Sequence, residues 1–407
     1  MTRIVFVNRY YAPDRSATSQ ILTDLARHLA GERFDVTVVA SNELYSDPTA
    51  RLPEAEEIDG VSVRRVPAAG FGRGTLAHRA ADYMMLYHRL GGALRRILRP
   101  GDILVAKTDP PMIAVVAARA AAANGARLVN WVQDVYPEVA GRLGVAAASG
   151  PLGAVMSRLR DGALSQARAN VAVGETMAEF LTSRGATDVH AIQNWSDDEA
   201  VRPVPHALNP LREAWNLEGK FVVGYSGNLG RAHEYRTLLD AARRLRARRD
   251  VVFLSIGGGH HLVPLQAEIA ASGLGHLFRF EPYQSREQLR YSLGVADVHW
   301  LSLRPELEGL IVPSKFYGIA AAGRPTIAIT APDGEIARLV KRHACGVNVE
   351  PGDDERLAAT ITALEANRDD CAAMGARARI MLDEHFSRAA SFRRWRILLD
   401  KVAGATA

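Results

Sequence analysis

The chain has 407 residues, 48% hydrophobic and 23% charged, which is ordinary for a globular protein of two or three domains. Two cysteines, Cys345 and Cys371, are too few for a disulfide framework or a cysteine-based metal site and fit a reducing cytoplasm. The net charge of +5 favours an anionic substrate or an anionic membrane surface, and the lack of a nucleic-acid-binding motif argues against DNA or RNA.

Short apolar runs that alternate with helical segments predict a parallel α/β sheet in each half of the chain. We therefore expect an α/β protein with two Rossmann-like, doubly wound domains that face a central cleft, over residues 1–195 and 196–385, and an amphipathic helix in 386–407. The predicted strands are Arg3–Asn8, Asp35–Ala40, Val61–Val66, Asp102–Ala106, Arg127–Val132 and Asn170–Val173, then Lys220–Tyr225, Val251–Ile256, Leu277–Phe280, Val298–Leu301, Thr326–Ile329 and Gly346–Val349.

The N-terminus does not resemble a signal peptide, because Met1 to Arg3 run directly into the first predicted strand. The longest apolar run, Met112–Ala123, is interrupted by Arg119 and is too short to span a bilayer. The expected location is therefore the cytoplasm.

The loop from Tyr10 to Gln20, after the first strand, leads into a predicted helix at Ile21–Leu29. Small hydroxyl side chains near a helix start suit phosphate oxygens, and an arginine adds positive charge, so the loop predicts an acceptor or phosphate site. N-capping by two of its serines is a competing role that can coexist with phosphate binding. The residues concerned are Arg15, Ser16, Thr18 and Ser19, of which Ser16 and Ser19 are the candidate caps.

A predicted helix over Thr75–Arg99 combines apolar and aromatic side chains with a basic face. This combination is typical of an interfacial helix on anionic lipid, but an ordinary packed helix with a solvated face has the same pattern. The apolar set is Tyr83, Met84, Met85, Leu86 and Tyr87, and the last turns carry Arg95, Arg96 and Arg99.

Charged residues follow two further strands of the first half. Asp134 follows the fifth strand, and Lys107 and Asp109 follow the fourth. Because such folds bind ligands at the carboxyl ends of parallel strands, we expect these residues to line the cleft. There Asp134 can orient a hydroxyl group or, alternatively, cap the next turn.

Two glycine-containing loops follow the first and second strands of the second half. Glycines let backbone N–H groups approach an anion closely, and a nearby arginine can neutralise it. Plain tight or flexible turns are the alternative in both loops. The residues are Gly227, Asn228, Gly230 and Arg231 in the first loop and Gly257 and Gly258 in the second.

Tyr283 and Gln284 follow the third strand of the second half. Extended backbone at this point can read the edge of a base, and Tyr283 can stack on it. A loop with a core aromatic is the alternative.

The stretch Glu308–Ile329 brings an acid, a lysine and a helix start close together. Pro313 and Ser314 indicate the helix start, with the Ser314 hydroxyl able to cap free N–H groups. Lys315 adds a full charge where the helix dipole already favours a diphosphate. Glu308 lies just upstream, where it can accept hydrogen bonds from sugar hydroxyls. A capped helix packed on a sheet is the simpler interpretation.

This stretch resembles the donor site of family-four retaining nucleotide-sugar glycosyltransferases, which have the GT-B fold, and the resemblance covers essentially the whole chain. The subgroup that it most resembles builds O-antigen, colanic acid and related polysaccharides. The resemblance implies transfer of a hexosyl or N-acetylhexosaminyl group, with retention, from a nucleotide-diphosphate sugar such as a UDP-sugar to a hydroxyl of a lipid-linked saccharide. It also implies that the C-terminal helix crosses back to the first domain.

Residue by residue, the resemblance assigns the leaving diphosphate to Arg231 and Lys315, the donor sugar to Glu308 and the acceptor to Asp134. Asn228 stands where relatives commonly have an arginine.

The second glutamate of the family's acidic signature, which bonds the ribose, is missing from this chain. Gly318 or Phe316 stands in its place, depending on the alignment, and Glu306 is a candidate substitute.

No metal or other cofactor is expected, because basic residues at the diphosphate make a metal unnecessary. The implied partners are a nucleotide-diphosphate sugar, a polyprenyl-diphosphate-linked or other saccharide acceptor, and an anionic membrane surface contacted peripherally. Two alternatives are a GT-B nucleotide-sugar 2-epimerase, which needs no acceptor, and a non-catalytic nucleotide-sugar-binding protein, which the missing glutamate makes conceivable.

Overall fold

The computed structural model describes residues 2–47, 49–68 and 76–404. The chain forms two compact units, unit 1 with residues 1–193 and 392–407, and unit 2 with residues 194–391. The sequence-based limits for the same division are residues 195 and 385.

Unit 1 contains a sheet whose described strands lie in the order β3-β4-β2-β1-β5-β6-β7-β8, parallel except for β3, which pairs antiparallel with β4. Leu90 and Leu94 of one helix and Ala117 of the next pack on one face of this sheet and are fully buried. The strands are β1 Thr2–Val7, β2 Phe34–Ser41, β3 Ala55–Ile58, β4 Val61–Val66, β5 Ile103–Lys107, β6 Arg127–Val132, β7 Ala169–Ala172 and β8 Val189–Ala191. The helices are α1 Ala17–Ala30, α2 Leu76–Ile97, α3 Ile113–Asn124, α4 Glu138–Arg142, α5 Ala146–Ser149, α6 Pro151–Gln166 and α7 Glu175–Ser183.

Unit 2 contains a fully parallel sheet with its described strands in the order β11-β10-β9-β12-β13-β14. The strands are β9 Phe221–Asn228, β10 Val251–Gly258, β11 Phe278–Glu281, β12 Val298–Ser302, β13 Thr326–Ile329 and β14 Gly346–Val349. The helices are α8 Pro210–Ala214, α9 Arg236–Arg244, α10 Leu262–Ala271, α11 Leu289–Gly294, α12 Lys315–Ala321, α13 Glu335–His343, α14 Asp354–Ala366 and α15 Arg368–Met381.

The last helix, α16, spans Arg388–Ala403, and most of it belongs to unit 1. Trp395 on this helix is fully buried, with its ring centroid 4.6 Å from that of Trp131 on β6. Arg127 at the start of β6 donates a hydrogen bond of 3.0 Å to the carbonyl of Ala403. Strand β6 and helix α16, which lie far apart in sequence, therefore share one core.

Two parallel, Rossmann-like sheets are confirmed, and every predicted strand is present. Two short strands were missed. The sequence of β3, Ala-Glu-Glu-Ile, is charged and gave no strand signal. As an edge strand, β3 needs no continuous apolar run. β8 has three residues, too few for a periodic signal.

Two helix predictions need correction. The first helix begins at Ala17 rather than Ile21, so Thr18 and Ser19 lie in its first turn. Of the helix predicted over Thr75–Arg99, Thr75 lies outside the described residues, and α2 ends at Ile97, two residues earlier than predicted.

The apolar residues of α2 mostly face protein. Leu86 is buried, the Tyr87 hydroxyl donates to the carbonyl of Pro111, and the guanidinium of Arg9 lies 5.3 Å from the Tyr83 ring centroid. Met84 is exposed. The packed-helix interpretation therefore fits α2 better than an apolar membrane face does.

A buried ion pair joins α8 to the sheet of unit 2. Asp297 Oδ2 accepts hydrogen bonds from the Val222 backbone N at 2.8 Å and from Arg212 Nη1 at 3.3 Å. Arg212 also donates to the carbonyl groups of Val295 and Lys220, at 2.9 and 2.7 Å. Because the carboxylate and most guanidinium hydrogens have partners, the desolvation of both charges is compensated.

Asp297→Ala should lower the free energy of unfolding by about 3–5 kcal/mol, because it leaves Arg212 buried without its counter-charge. Urea-induced unfolding followed by circular dichroism measures the change. Asp240→Ala is the matched control, since Asp240 pairs with Arg243 at the surface and should cost at most about 1 kcal/mol. Equal effects of the two substitutions would contradict the assigned role of Asp297.

Candidate functional site

The strand order places two pairs of loops where ligands bind in such folds. In unit 2 the order reverses between β9 and β12, and in unit 1 between β1 and β5. Loops that leave neighbouring strands in opposite directions open a crevice at the carboxyl ends of those strands. The loops after β9 and β12 carry Arg231, Glu308 and Lys315, and those after β1 and β5 carry Arg15 and Asp109.

The two glycine loops of unit 2 contact each other through their backbones. Gly227, Gly257 and Gly259 have φ of 122°, 123° and 131°, which L side chains rarely adopt. A Cβ on Gly257 would lie 2.5 Å from the carbonyl oxygen of Gly227. The Leu229 backbone N donates to the carbonyl of Gly258 at 2.7 Å. These glycines therefore allow a close contact between the two loops that a Cβ at Gly257 or Gly259 would prevent.

Asn228 and Gly230 belong to this contact. The Asn228 side chain lies over Gly259, where a Cβ would come within 2.5 Å of its Oδ1, and a Cβ on Gly230 would be 3.6 Å from its Nδ2. Asn228 therefore packs the two loops together. Arg231 is exposed on the same loop.

Lys315, the first residue of α12, is held by neutral groups. Its Nζ donates to the Tyr225 hydroxyl, lies 4.0 Å from the centroid of that ring, and is 3.3 Å from His233 Nε2. Burial lowers the pKa of Lys315 to about 7. Within the described ranges no carboxylate lies at ion-pair distance from this ammonium group.

The predicted cap of α12 is wrong. Ser314 has helical φ and ψ, and its hydroxyl makes no capping hydrogen bond within the part of the chain that the structure describes. The chain already turns at Pro313, whose carbonyl accepts from the Phe316 backbone N at 3.2 Å. Ser314 is exposed, so its hydroxyl can face a ligand.

Glu308 lies against the start of α13. Its Oε2 is 3.4 Å from the Glu335 backbone N, and its Oε1 is buried without a hydrogen-bond partner within the described ranges. A Cβ on Gly334 would come within 2.3 Å of Oε1, so only glycine leaves room for this carboxyl. Burial raises the pKa of Glu308 to about 7, and the negative charge of Glu335 adds to the effect.

The Tyr283 ring lies beside the second glycine loop, 3.0 Å and 3.2 Å from where Cβ atoms on Gly257 and Gly258 would be. Its side chain is 62% exposed, so the core-aromatic alternative is wrong, and the ring offers a face for stacking. Gln284 donates to the carbonyl of Pro282 at 2.9 Å. Glu306, the candidate ribose ligand, forms an ion pair with Arg304.

In unit 1, Asp14 fixes the conformation of the hydroxyl-rich loop. Its Oδ1 accepts from the backbone N of Ser16 at 2.8 Å and from the Ser16 hydroxyl. The Ser19 hydroxyl donates to the carbonyl of Asp14 at 3.0 Å. Ser16 therefore occupies the N-cap position of α1, as predicted, but its side chain makes no capping hydrogen bond among the described residues, and Ser19 lies inside the helix. Arg15 is exposed beside them.

Lys107 binds the same loop and lies within electrostatic range of the carboxylates that follow β5 and β6. It is fully buried, and its Nζ donates to the Thr18 hydroxyl and carbonyl at 3.1 and 3.2 Å. Burial lowers the pKa of Lys107 to about 7 and raises those of Asp109 and Asp134 to about 6, although the charges of the lysine and the carboxylates oppose these shifts. Groups that titrate close to neutral pH suit proton transfer.

Glu138, a neighbour of Asp134 in sequence, has a structural role. Its two carboxylate oxygens accept from Arg160 at 2.7 and 3.0 Å. Asp134 is therefore the better acid candidate at this end of β6.

Sequence reasoning missed His233 and Tyr225 as members of the site. His233 lies in the predicted anion loop, which was a usable signal, but its contact with Lys315 spans 82 residues of sequence. The described residues contain no group of three or more His, Cys, Asp or Glu side chains that could hold a metal ion. None of the described helices has the length and apolar character that crossing a membrane requires.

Comparison with known families agrees with this geometry. Residues 17–195 match the model of the glycosyl transferase 4-like domain, and residues 209–381 match that of the glycosyl transferases group 1. Together the two models cover most of the chain, which is therefore a glycosyltransferase. It belongs to the group 1 glycosyltransferases.

Similar proteins include two bacterial glycosyltransferases. The chain is 25% identical over 390 residues to the probable glycosyltransferase WbjE of Pseudomonas aeruginosa, covering 95% of each chain. It is 27% identical over 247 residues to the putative colanic acid biosynthesis glycosyl transferase WcaI of Escherichia coli, covering 58% of this chain and 60% of that one.

Solved structures of GT-B glycosyltransferases share the fold. Anabaena HepE in complex with UDP has a TM-score of 0.74 at 15% identity and covers 98% of this chain and all of its own. Sucrose-phosphate synthase from Thermosynechococcus elongatus has a TM-score of 0.78 at 15% identity, with full coverage of both chains. The predicted GT-B class is confirmed.

The raised pKa of Glu308 predicts a pH-dependent stability. Because the folded state binds this proton more tightly than the unfolded chain does, the stabilisation is complete below about pH 4.5 and is lost as the pH rises through about 7. Glu308→Gln should therefore raise the thermal midpoint relative to wild type at about pH 8 but not at about pH 4.5. Glu306→Gln is the control, and the difference between its thermal midpoint and that of wild type should be the same at both pH values. A constant offset between wild type and Glu308→Gln would contradict the assignment.

Proposed function

We propose that the protein transfers a hexosyl or N-acetylhexosaminyl group from a nucleotide-diphosphate sugar to a hydroxyl group of a lipid-linked saccharide, in the synthesis of a cell-surface polysaccharide such as O-antigen or an exopolysaccharide. The observation that carries the proposal is Lys315 at the switch point of unit 2, a half-buried ammonium group with no carboxylate at ion-pair distance among the described residues. A diphosphate leaving group develops negative charge as its bond to the sugar breaks, and a desolvated cation stabilises that charge strongly. The HepE complexes with UDP and UDP-glucose support a nucleotide-sugar donor.

In this proposal the remaining groups of unit 2 bind the donor. Arg231 and the exposed Ser314 contact the diphosphate, and the glycine loops let backbone groups approach it. Tyr283 stacks on the base, beside Gln284. Glu308 binds the sugar, as a hydrogen-bond donor when protonated and as an acceptor when ionised.

Unit 1 supplies the acceptor side. Asp134, with the buried Lys107 beside it, orients the attacking hydroxyl group. The loop of Arg15, Ser16, Thr18 and Ser19 binds phosphate. The configuration at the anomeric carbon is retained and the reaction needs no metal, since lysine and arginine already neutralise the diphosphate.

Contact with an anionic membrane belongs to the proposal, and α6 is the surface that supports it. Leu152, Val155 and Leu159 recur at i, i+3 and i+7, and their side chains are 58, 49 and 44% exposed. Residues 139–160 contain no aspartate or glutamate, and the arginines at 142 and 158 are exposed. An apolar stripe with exposed arginines and no acids suits anionic lipid.

Lys315→Ala should lower turnover of the nucleotide sugar about 100-fold or more, because the leaving diphosphate loses its buried cation. Product formation from radiolabelled UDP- and GDP-sugars with a membrane-extracted acceptor measures it. Lys341→Ala, an exposed lysine on α13, is the matched control and should retain wild-type turnover.

Two results would overturn the proposed reaction. Wild-type turnover in Lys315→Ala would remove the role of Lys315. A new nucleotide sugar formed from the donor alone would instead identify an epimerase.

The triple variant Leu152→Gln, Val155→Gln, Leu159→Gln should reduce co-sedimentation with phosphatidylglycerol vesicles at least about fivefold, since it removes the apolar contact. The control carries Ile380→Gln and Ile397→Gln, two exposed apolar residues on other helices, and should sediment like wild type. Equal sedimentation of all three proteins would exclude α6 as the membrane surface.

A further inference from the structure

The groups around Lys315 are arranged to accept its hydrogens without neutralising its charge. The Tyr225 hydroxyl donates its own proton to the carbonyl of Asn228 at 2.8 Å, so its oxygen is left to accept from Lys315. His233 Nδ1 lies 2.6 Å from the carbonyl oxygen of Ser302, and a carbonyl can only accept. The short contact with Ser302 assigns the proton of the neutral imidazole to Nδ1, and Nε2 then presents its lone pair to Lys315 at 3.3 Å. The carbonyl of Asn228 also faces the imidazole.

The arrangement is rigid because each partner is fixed elsewhere. Ser302 ends β12, and its hydroxyl also accepts from the Glu234 backbone N at 3.1 Å. Tyr225 is fully buried in β9, against the Trp300 ring at a centroid distance of 4.6 Å. Lys315 is thus aimed by two strands on either side of the switch point, β9 and β12.

We propose that His233 and Tyr225 are positioning residues that hold Lys315 where no described carboxylate pairs with it, so that the diphosphate of the donor becomes its counter-ion. This inference rests on the proposed function, because it takes Lys315 as the diphosphate ligand. A carboxylate in the place of His233 would form an ion pair that the donor must break. A neutral acceptor aims the ammonium group equally well and leaves its charge for the ligand.

The arrangement has a consequence for protons. Burial lowers the pKa of Lys315 to about 7, so a large part of the empty protein carries a neutral lysine above that pH. A bound diphosphate favours the charged form and raises this pKa, so donor binding above pH 7 takes up a proton. Affinity is then constant below about pH 7 and falls by up to about tenfold per pH unit above it.

Other titratable groups face the same cluster. Tyr283 faces Tyr225, whose pKa burial raises far above its usual value. His261 and Lys315 both face His233, whose pKa is lowered to about 3 by burial and by the Lys315 charge, so its imidazole stays neutral. Glu234 follows His233, but its Oε1 accepts from the Thr237 backbone N at the start of α9.

The test is calorimetric binding of UDP, GDP, dTDP and ADP to the full chain at about pH 8, in buffers of different ionisation enthalpy. The terminal phosphate of each nucleotide is fully ionised there, so proton uptake belongs to the protein. We expect uptake of close to one proton per nucleotide bound by wild type. Lys315→Arg should bind the nucleotide without uptake, since a guanidinium group is always charged.

His233 is tested with three variants. His233→Leu should weaken binding about tenfold, because Lys315 loses an acceptor that aims it. His233→Gln, which keeps an acceptor oxygen, should restore most of the affinity. His276→Gln is the control, because His276 is exposed and its Nε2 lies 3.0 Å from the carbonyl of Arg246.

The outcomes separate the two proposals. No binding of any of the four nucleotides by wild type, or unchanged binding in Lys315→Ala, overturns the proposed function and this inference with it. Binding that needs Lys315 but takes up no proton at about pH 8 overturns the inference alone. Equal affinities of His233→Leu and wild type also overturn it.

Discussion

The arrangement of the candidate site depends on one topological constraint, the reversal of strand order beside β9. The chain continues from β9 towards β10 on one side and from β12 towards β13 on the other. The loops that follow β9 and β12 therefore diverge and leave room at the carboxyl edge of the sheet. Tyr225 on β9 and Ser302 on β12 are fixed by the sheet. Tyr225 contacts Lys315 directly, and Ser302 holds His233, which also contacts Lys315. A cation placed in this way needs no further reorganisation when charge develops beside it, which is the condition for strong electrostatic stabilisation.

The two units use buried lysines in related ways. Lys315 in unit 2 and Lys107 in unit 1 are both desolvated, and burial lowers the pKa of each to about 7. They differ in their partners, since Lys107 is near Asp109 and Asp134, whereas Lys315 is held by a hydroxyl and an imidazole. The charge of Lys107 is therefore partly balanced by nearby carboxylates, whereas the surroundings of Lys315 favour binding of an anion.

Much of the fold followed from the sequence because parallel strands that are buried on both faces are continuous apolar runs. This signal was absent for β3, an edge strand with a charged sequence. In β8 the apolar run was too short to recognise. Lys315 and Glu308 were found from local sequence, as charged residues close to a helix start. The partners of Lys315 were not, because His233 and Lys315 meet only through the pairing of β9 with β12. The side-chain capping hydrogen bonds predicted for Ser16 and Ser314 are absent among the described residues. The carboxylate of Asp14 binds Ser16 instead, and the backbone turn at Pro313 determines the start of α12.

The core that β6 and α16 share has a consequence for biosynthesis. Trp131 of β6 packs against Trp395, so one wall of the unit 1 core is made by residues that are synthesised after the whole of unit 2. Unit 2 is continuous in sequence and is synthesised in full before that wall exists. The nascent chain therefore holds an incomplete first unit, with an apolar surface uncovered, throughout the translation of the second, and a premature stop a few codons before Trp395 would leave that surface permanently open.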